Sequence, residues 1–463
     1  MSTHFVIVGN GAAGYRAAKA LRRADPDAQV SVFSDERYPF YLRRQLGDYL
    51  AGSLSLEEVI FQSRNAYRRE RIDLFLMTHI AGLDPKAHEV TFASGPSVRY
   101  DRLLLATGTR AVLPPIPGRD LAGVARFDTL TEASEIRASL TAVHRAVILR
   151  EGVVGLCLAE SLLARGVRVT QLMPGDRFWP DVLDEATSQR VETILEEAGV
   201  SLVRHAAARA IVGSGGRCAA VEMDEGRRVM ADLVACGCRR RPAADVARRA
   251  GIEAARGIRV DGAFRTSARD VWAAGDVAEP VEGPGAAAGG PFCWQRAWTQ
   301  GALAAASMID RPAEPSPEAV RVRTACFGHD LAVIGEGHLP AGGDVDAQIQ
   351  RAPRDVLRRL VYRNDRLVGA VVLGTGETVH ELNSLVAEQA PRSRVTDTLA
   401  PPAGVEPGDR VPTTFACHCP ICAAEVVVHR GTPVGATVRC HPCNTDLVVC
   451  WDGRRGWLEI APP

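Results

Sequence analysis

Residues 5–36 read FVIVGNGAAGYRAAKALRRADPDAQVSVFSDE, a stretch that leaves the chain little choice of local structure. The apolar run Phe5–Val8 predicts a strand, Gly9, Gly11 and Gly14 form a G-x-G-x-x-G turn that also holds Ala12, a helix covers about 13–23, and Val30–Phe33 predicts a second strand. Each glycine has a separate task. The first permits the tight turn, the second lets backbone approach a pyrophosphate at the helix N-terminus, and the third lets helix and strand pack closely. Asp35 follows Gly14 by 21 residues, the spacing of an acid that holds a ribose hydroxyl, with Glu36 as the neighbouring candidate. The pattern returns at AVILREGVVGLCLAESLLARGVRVTQLM, from Ala146 to Met173. Two such units predict two nucleotide-sized, Rossmann-like domains.

At 463 residues the chain is expected to hold about three domains and an appendage. Between the two units, YDRLLLATGTRAVLPPIPG reads as a strand, a small-residue turn and a proline-rich crossover. SARDVWAAGDVAE is a further strand ending in Gly-Asp, and WQRAWTQGALAAASMI is an apolar-faced helix. Short strands and a final helix from about Val320 to Val386 suggest an α+β domain, and Pro391–Pro412 reads as a linker. The net charge is zero, which gives no argument for nucleic acid or an anionic membrane as partner. Only Lys19 and Lys86 are lysines, so 53 of the 55 cations are arginine, and arginine is the available anion ligand. No stretch reaches the ~18 apolar residues of a membrane helix, and no basic segment precedes the first strand. The expectation is a cytoplasmic protein.

These segments together resemble the FAD-dependent pyridine nucleotide-disulfide oxidoreductases, in particular the ferredoxin/rubredoxin reductase and nitrite reductase flavin-subunit branch, over roughly residues 4–390. SDERYPFYLRRQLGDYLAG is similar to the branch's segment after the second strand, where Arg43 matches a cation flanking the flavin. LLLATGT, with Ala106, Thr107 and Gly108, resembles the crossover motif, and VWAAGDV the second FAD motif. There the resemblance implies that Asp276 accepts from the ribityl chain and that Gly275 lets backbone approach. WQRAWTQG implies Trp294 and Gln295 beside the isoalloxazine ring. Taken singly, Trp294 reads as core, Asp276 as a helix cap and Arg43 as a solvated charge. The cysteines that disulfide reductases carry near residues 41–47 are missing from YLRRQLG, which excludes thiol-disulfide exchange there, and Arg44 stands where proline is common. The implied fold class is α/β. An FAD domain spans 1–110 with 255–310, an NAD(P)-type domain 111–254, an α+β interface domain 311–390, a linker 391–412, and a zinc-ribbon-like module 413–463.

The second glycine turn departs from its pattern. It reads Arg150-Glu151-Gly152-Val153-Val154-Gly155, with arginine at the first glycine, and Cys157 replaces the family's glutamate near the nicotinamide. The strand expected to end in an acid ends in Met173, which cannot hold a ribose hydroxyl. ACGCRRRP (Ala235–Pro242) resembles a G-x-G-x-x-P loop with Arg239 at its second glycine. Two readings stay open. NAD(P)H still binds, weakly or in an altered pose, or the pocket with Arg150, Gly152, Gly155 and Arg239 is given over to another ligand, such as an anionic substrate meeting Arg150 and Arg239, or is simply closed. On the second reading Cys157 faces the flavin; a small buried hydrophobe is the plainer account of that cysteine.

Six of the twelve cysteines fall in the last 47 residues. Cys419-x-x-Cys422, seventeen residues, then Cys440-x-x-Cys443 matches a Cys₄ zinc ribbon, the strands around EVVVHRG and ATVRC bringing the two turns together. The segment also resembles rubredoxin, which uses iron but spaces its turns further apart. Zinc could dock or stabilise; only iron could carry electrons. Three functions follow: an FAD-dependent reductase passing electrons from NAD(P)H to a protein or small-molecule acceptor, a flavin oxidase or dehydrogenase acting on a small substrate, and a non-catalytic flavoprotein with a metal-binding interaction module. The family also suggests a homodimer.

Overall fold

The computed structural model describes residues 2–236, 239–281, 294–311, 320–339, 342, 344–352, 356–374, 379–399, 409–419, 425–440, 445–451 and 456–460. They fall into two compact units, 1–375 with 379–389, and 376–378 with 390–463.

In the first unit, strand His4–Val8 lies at the centre of a five-stranded parallel sheet in the order Val271–Ala273, Arg102–Leu105, His4–Val8, Gln29–Phe33, Asp73–Phe75. Val6, Ile7, Leu103, Leu104 and Leu105 are fully buried, as continuous apolar strands covered on both faces require. Helix Ala12–Ala24 connects the first two strands and packs on helix Trp294–Met308. The packing is close because of Gly301: a Cβ there would run into the carbonyl of Ala13. A three-stranded antiparallel sheet, Ile80–Asp84, Glu89–Phe92 and Val98–Arg99, forms the excursion before the fourth strand.

The second parallel sheet repeats the arrangement, in the order Ser201–Val203, Arg168–Leu172, Arg145–Ile148, Leu233–Cys236, Val124–Arg126. Strand Thr109–Val112 pairs antiparallel with Arg239–Pro242, a two-stranded link at the crossover between the two α/β regions. The unit ends in a five-stranded antiparallel sheet, with Val320–Cys326, His329–Gly335, Arg366–Gly374, Val356–Arg363 and Val345–Ala352 in that order, followed by helix Val379–Ala387.

In the second unit, part of the stretch expected to be a linker forms helix Arg392–Leu399. RSRVTDTL holds neither glycine nor proline, and Val395 is fully buried. The two strands expected to pair belong to different sheets. Glu425–Val428 pairs with Phe415–His418, while Thr437–Cys440 pairs with Thr445–Trp451, which pairs in turn with Gly456–Ile460. Each strand took its nearest antiparallel neighbour along the chain, the shorter loop closure.

Candidate functional site

The first glycine turn has the geometry its sequence demands. Gly9 sits at φ 111°, and a Cβ there would collide with the backbone oxygen of Ala106. A Cβ on Gly14 would strike the carbonyl of Gly9 itself. Gly11 caps helix Ala12–Ala24 at φ −81°, and a Cβ on it meets nothing within 4 Å. That open approach is the cradle a pyrophosphate requires. Asn10, between these glycines, escaped the sequence reading. The hydroxyl of buried Tyr67 donates to Asn10 Oδ1 at 2.8 Å, and Nδ2 is buried without a partner among the described residues. A donor held in a fixed direction with nothing to bond is suited to an anionic ligand.

A connected set of charges links the segment after the second strand to the crossover. Arg43, half-buried, donates to Glu36 and to the backbone oxygen of Asp128, and lies 3.5 Å from the Asp128 carboxylate. Arg240 donates to the same buried carboxylate and, at 2.9 Å, to Thr109 Oγ1; Tyr41 donates to Glu36 at 2.6 Å. Burial works against the charge on Arg43, but Glu36, Tyr41, Asp128 and Asp276 outweigh it and hold the guanidinium more firmly protonated than usual. Asp276 follows Gly275, which adopts φ 80° and whose N–H donates to Gln300 Oε1 at 2.9 Å. Burial pushes the Asp276 carboxyl up, against the pull of Arg240, Arg296 and Arg43, and its Oδ1 has no hydrogen-bond partner among the described residues. Asp35 is half-exposed and turned to Arg110 at 2.8 Å.

The remaining predicted residues fall nearby in the fold. Ala106 continues the fourth strand, Thr107 donates to the Ala243 carbonyl at 2.9 Å, and Gly108 takes φ 63°. Trp294 stacks on Trp298 with centroids 5.0 Å apart, and Gln295 follows it in the first turn of the helix. The orphaned Asp276 oxygen, the orphaned Asn10 amide and the open approach at Gly11 fit FAD. Asp128, Arg240 and Gln300 were missed because nothing adjacent in sequence marks them: Asp128 and Arg240 are 112 residues apart.

The second turn is built differently. Arg150, at the position of the first glycine, is exposed. Gly152 takes the left-handed conformation instead, at φ 122°, capping helix Val153–Ala164. The nearest atoms to a Cβ there belong to Trp179, from 3.7 Å. Met173 is fully buried. Arg239 opens the linking strand, but Arg240 is the residue that reaches the Asp128 carboxylate. Cys157 packs on Gly47, where a Cβ would meet its sulfur, beside Ser161, whose hydroxyl donates to the Gly47 carbonyl at 2.9 Å. Burial first, then Asp48 and Glu160, push its thiol up to about 12, so it stays protonated and is a poor nucleophile.

In the second unit, Cys419 and Cys440 are buried, the first just after strand Phe415–His418 and the second ending Thr437–Cys440. Cys422 and Cys443 lie outside the described residues. Among the described residues no three His, Cys, Asp or Glu side chains gather as a metal site, and no helix is long and apolar enough to cross a membrane.

Residues 3–301 match the family model of the pyridine nucleotide-disulphide oxidoreductases. The chain is 34% identical over 357 residues to the biphenyl dioxygenase system ferredoxin–NAD(+) reductase component of Paraburkholderia xenovorans strain LB400, covering 77% of this chain and 86% of that one. It is 30% identical to a rubredoxin-NAD(+) reductase of Pseudomonas putida, over 59% of this chain and 71% of the relative. In structure it is similar to a ferredoxin reductase from Rhodopseudomonas palustris, with TM-score 0.74, 24% identity, and 80% and 91% of the two chains covered. The NADH:rubredoxin oxidoreductase of Clostridium acetobutylicum superposes with TM-score 0.68 at 20% identity, over 86% of this chain and all of that one. A family match across most of the two α/β regions and a relative at this identity agree with the geometry of the first turn, and the chain belongs to the pyridine nucleotide-disulphide oxidoreductase family, as an FAD-dependent oxidoreductase.

Proposed function

We propose that this chain takes electrons from a nicotinamide dinucleotide and passes them through FAD to a redox partner protein. It rests on the buried Asp276 Oδ1, which has no hydrogen-bond partner among the described residues and lies within the electrostatic influence of Arg240, Arg296, Arg43 and Asp128. A carboxylate kept there costs stability unless a ligand hydroxyl completes it. FAD, when bound, supplies the conversion between hydride transfer and single-electron transfer. The chain's own residues bind and orient. The turn at Gly9–Gly14 and Asn10 receive the pyrophosphate, Asp276 takes the sugar-chain hydroxyls, and Arg43 fixes a positive charge at the ring end. Trp294 and Gln295 border the ring. The relatives named as ferredoxin and rubredoxin reductases support a protein acceptor.

Anaerobic mixing with NADH or NADPH is expected to bleach the flavin band, and a small iron–sulfur protein to restore it. If neither nicotinamide bleaches a flavin that dithionite reduces, the proposal is wrong. The tail forms part of the same reading. Cys419, Cys422, Cys440 and Cys443 hold a zinc ion, supported by their spacing and by the burial of Cys419 and Cys440. Metal analysis should return one zinc per chain; iron would instead make the tail a redox module. A cytoplasmic location and a homodimer belong to this proposal as well, and sizing chromatography of the full chain tests the dimer.

A further inference from the structure

Beside strand Asp73–Phe75, which ends the first parallel sheet, lies a cavity of about 640 Å³, a size that suits a small molecule. Strand Gln29–Phe33 and helix Arg64–Arg69 contribute to its walls, and no residue of either glycine turn lines it. Four arginines do: Arg22, Arg64, Arg68 and Arg71. The carboxylates that line it are Asp27 and Asp73, so positive charge is in excess. None of the four arginines forms an ion pair among the described residues, whereas Arg43, Arg110, Arg145 and Arg204 elsewhere in the same unit all do.

The cations are brought together by the backbone. Arg64 and Arg68, four residues apart, share one face of their helix. Arg71 follows in the left-handed conformation, at φ 53°, where glycine would fit more cheaply. Arg22 donates to the carbonyls of Asp25 at 3.2 Å, Pro26 at 2.9 Å and Arg71 at 2.7 Å, which ties its guanidinium to the backbone of Arg71. Burial first, then the like charge of Arg71, pull Arg22 down, against Asp25, Asp73 and Asp27. Cations gathered in this way repel one another until an anion joins them. Arginine suits phosphate, whose oxygens accept two N–H bonds from one planar fork. Phe75, nearly half exposed and stacked on Phe33 at 4.7 Å, adds a rigid aromatic wall.

We propose that this cavity binds a nucleoside di- or triphosphate, its phosphates on the four arginines and its base against Phe75. The site does not depend on the nicotinamide reading of the second turn. The test is calorimetry of the FAD-loaded full chain with ADP and with inorganic pyrophosphate. The wild type should bind ADP, less tightly as salt rises, and pyrophosphate about tenfold more weakly for want of a base. The double variant Arg64→Ala, Arg68→Ala should weaken ADP binding by about tenfold or more while keeping its full flavin content. Phe75→Leu, which keeps an apolar contact with Phe33, should weaken ADP and leave pyrophosphate unchanged. A wild type that does not bind ADP, or ADP binding that the double arginine variant leaves intact, overturns the inference. Equal affinity for ADP and pyrophosphate, or indifference to Phe75→Leu, overturns the assignment to a nucleoside.

Discussion

The two glycine turns share a topology and differ in where they hold the left-handed residue. In the first, Gly9 takes it, at φ 111°, while Gly11 stays at φ −81°. In the second, Arg150 occupies the corresponding first position and the positive φ has moved two residues on, to Gly152 at 122°. An arginine is tolerated there because the backbone no longer asks that position for a conformation only glycine adopts cheaply. A broken motif in the sequence is thus not a broken turn. What differs is the buried polar atoms without a hydrogen-bond partner among the described residues: Asn10 Nδ2 in the first turn, Glu151 Oε2 in the second.

Substitutions can break that contrast. Gly9→Ala combines positive φ with a backbone collision at Ala106, and is expected to cost about 4 kcal/mol and yield colourless protein. Flavin content and urea unfolding measure both; a yellow, stable variant would show that the first turn is no tighter than the second. Arg43→Leu leaves Glu36 and Asp128 without their shared cation, with an expected loss of about 3 kcal/mol and weaker FAD retention in ultrafiltration. Gly152→Ala meets only the Trp179 ring from 3.7 Å, so about 1–2 kcal/mol is expected, with full flavin content. Arg150→Leu should change unfolding by about 0.5 kcal/mol or less, since the side chain is exposed.

Cys157 gives the smallest effect on activity. Cys157→Ser should leave turnover within about twofold, because a thiol titrating at about 12 is not the reacting species near neutrality. Its folded pKa lies above the unfolded value of about 8.5, so its contribution to stability is present below that pH and declines as pH rises toward 12. Alkylation of the native protein at pH 8 should accordingly spare Cys157, and peptide mapping reads this directly. Rapid native labelling would restore the cysteine as a reactive group.

Local pattern determined much of this molecule. Strand, turn and helix at residues 4–24 follow from apolar runs and glycines whose tasks are set within a few residues, and the predicted ends differ from those found by one residue. The helix at 392–399 was hidden because Pro391 before it and the prolines and glycines after it outweighed a short, unpunctuated core. Only the tertiary structure joined Arg43 to Asp128 and Arg240 to Asp128, turned Arg150 outward, and set Cys157 against Gly47. The physical reason is range. Backbone conformation is governed by neighbours along the chain, whereas a charge or a thiol takes its chemistry from whatever folding brings within a few ångströms, from any distance in sequence.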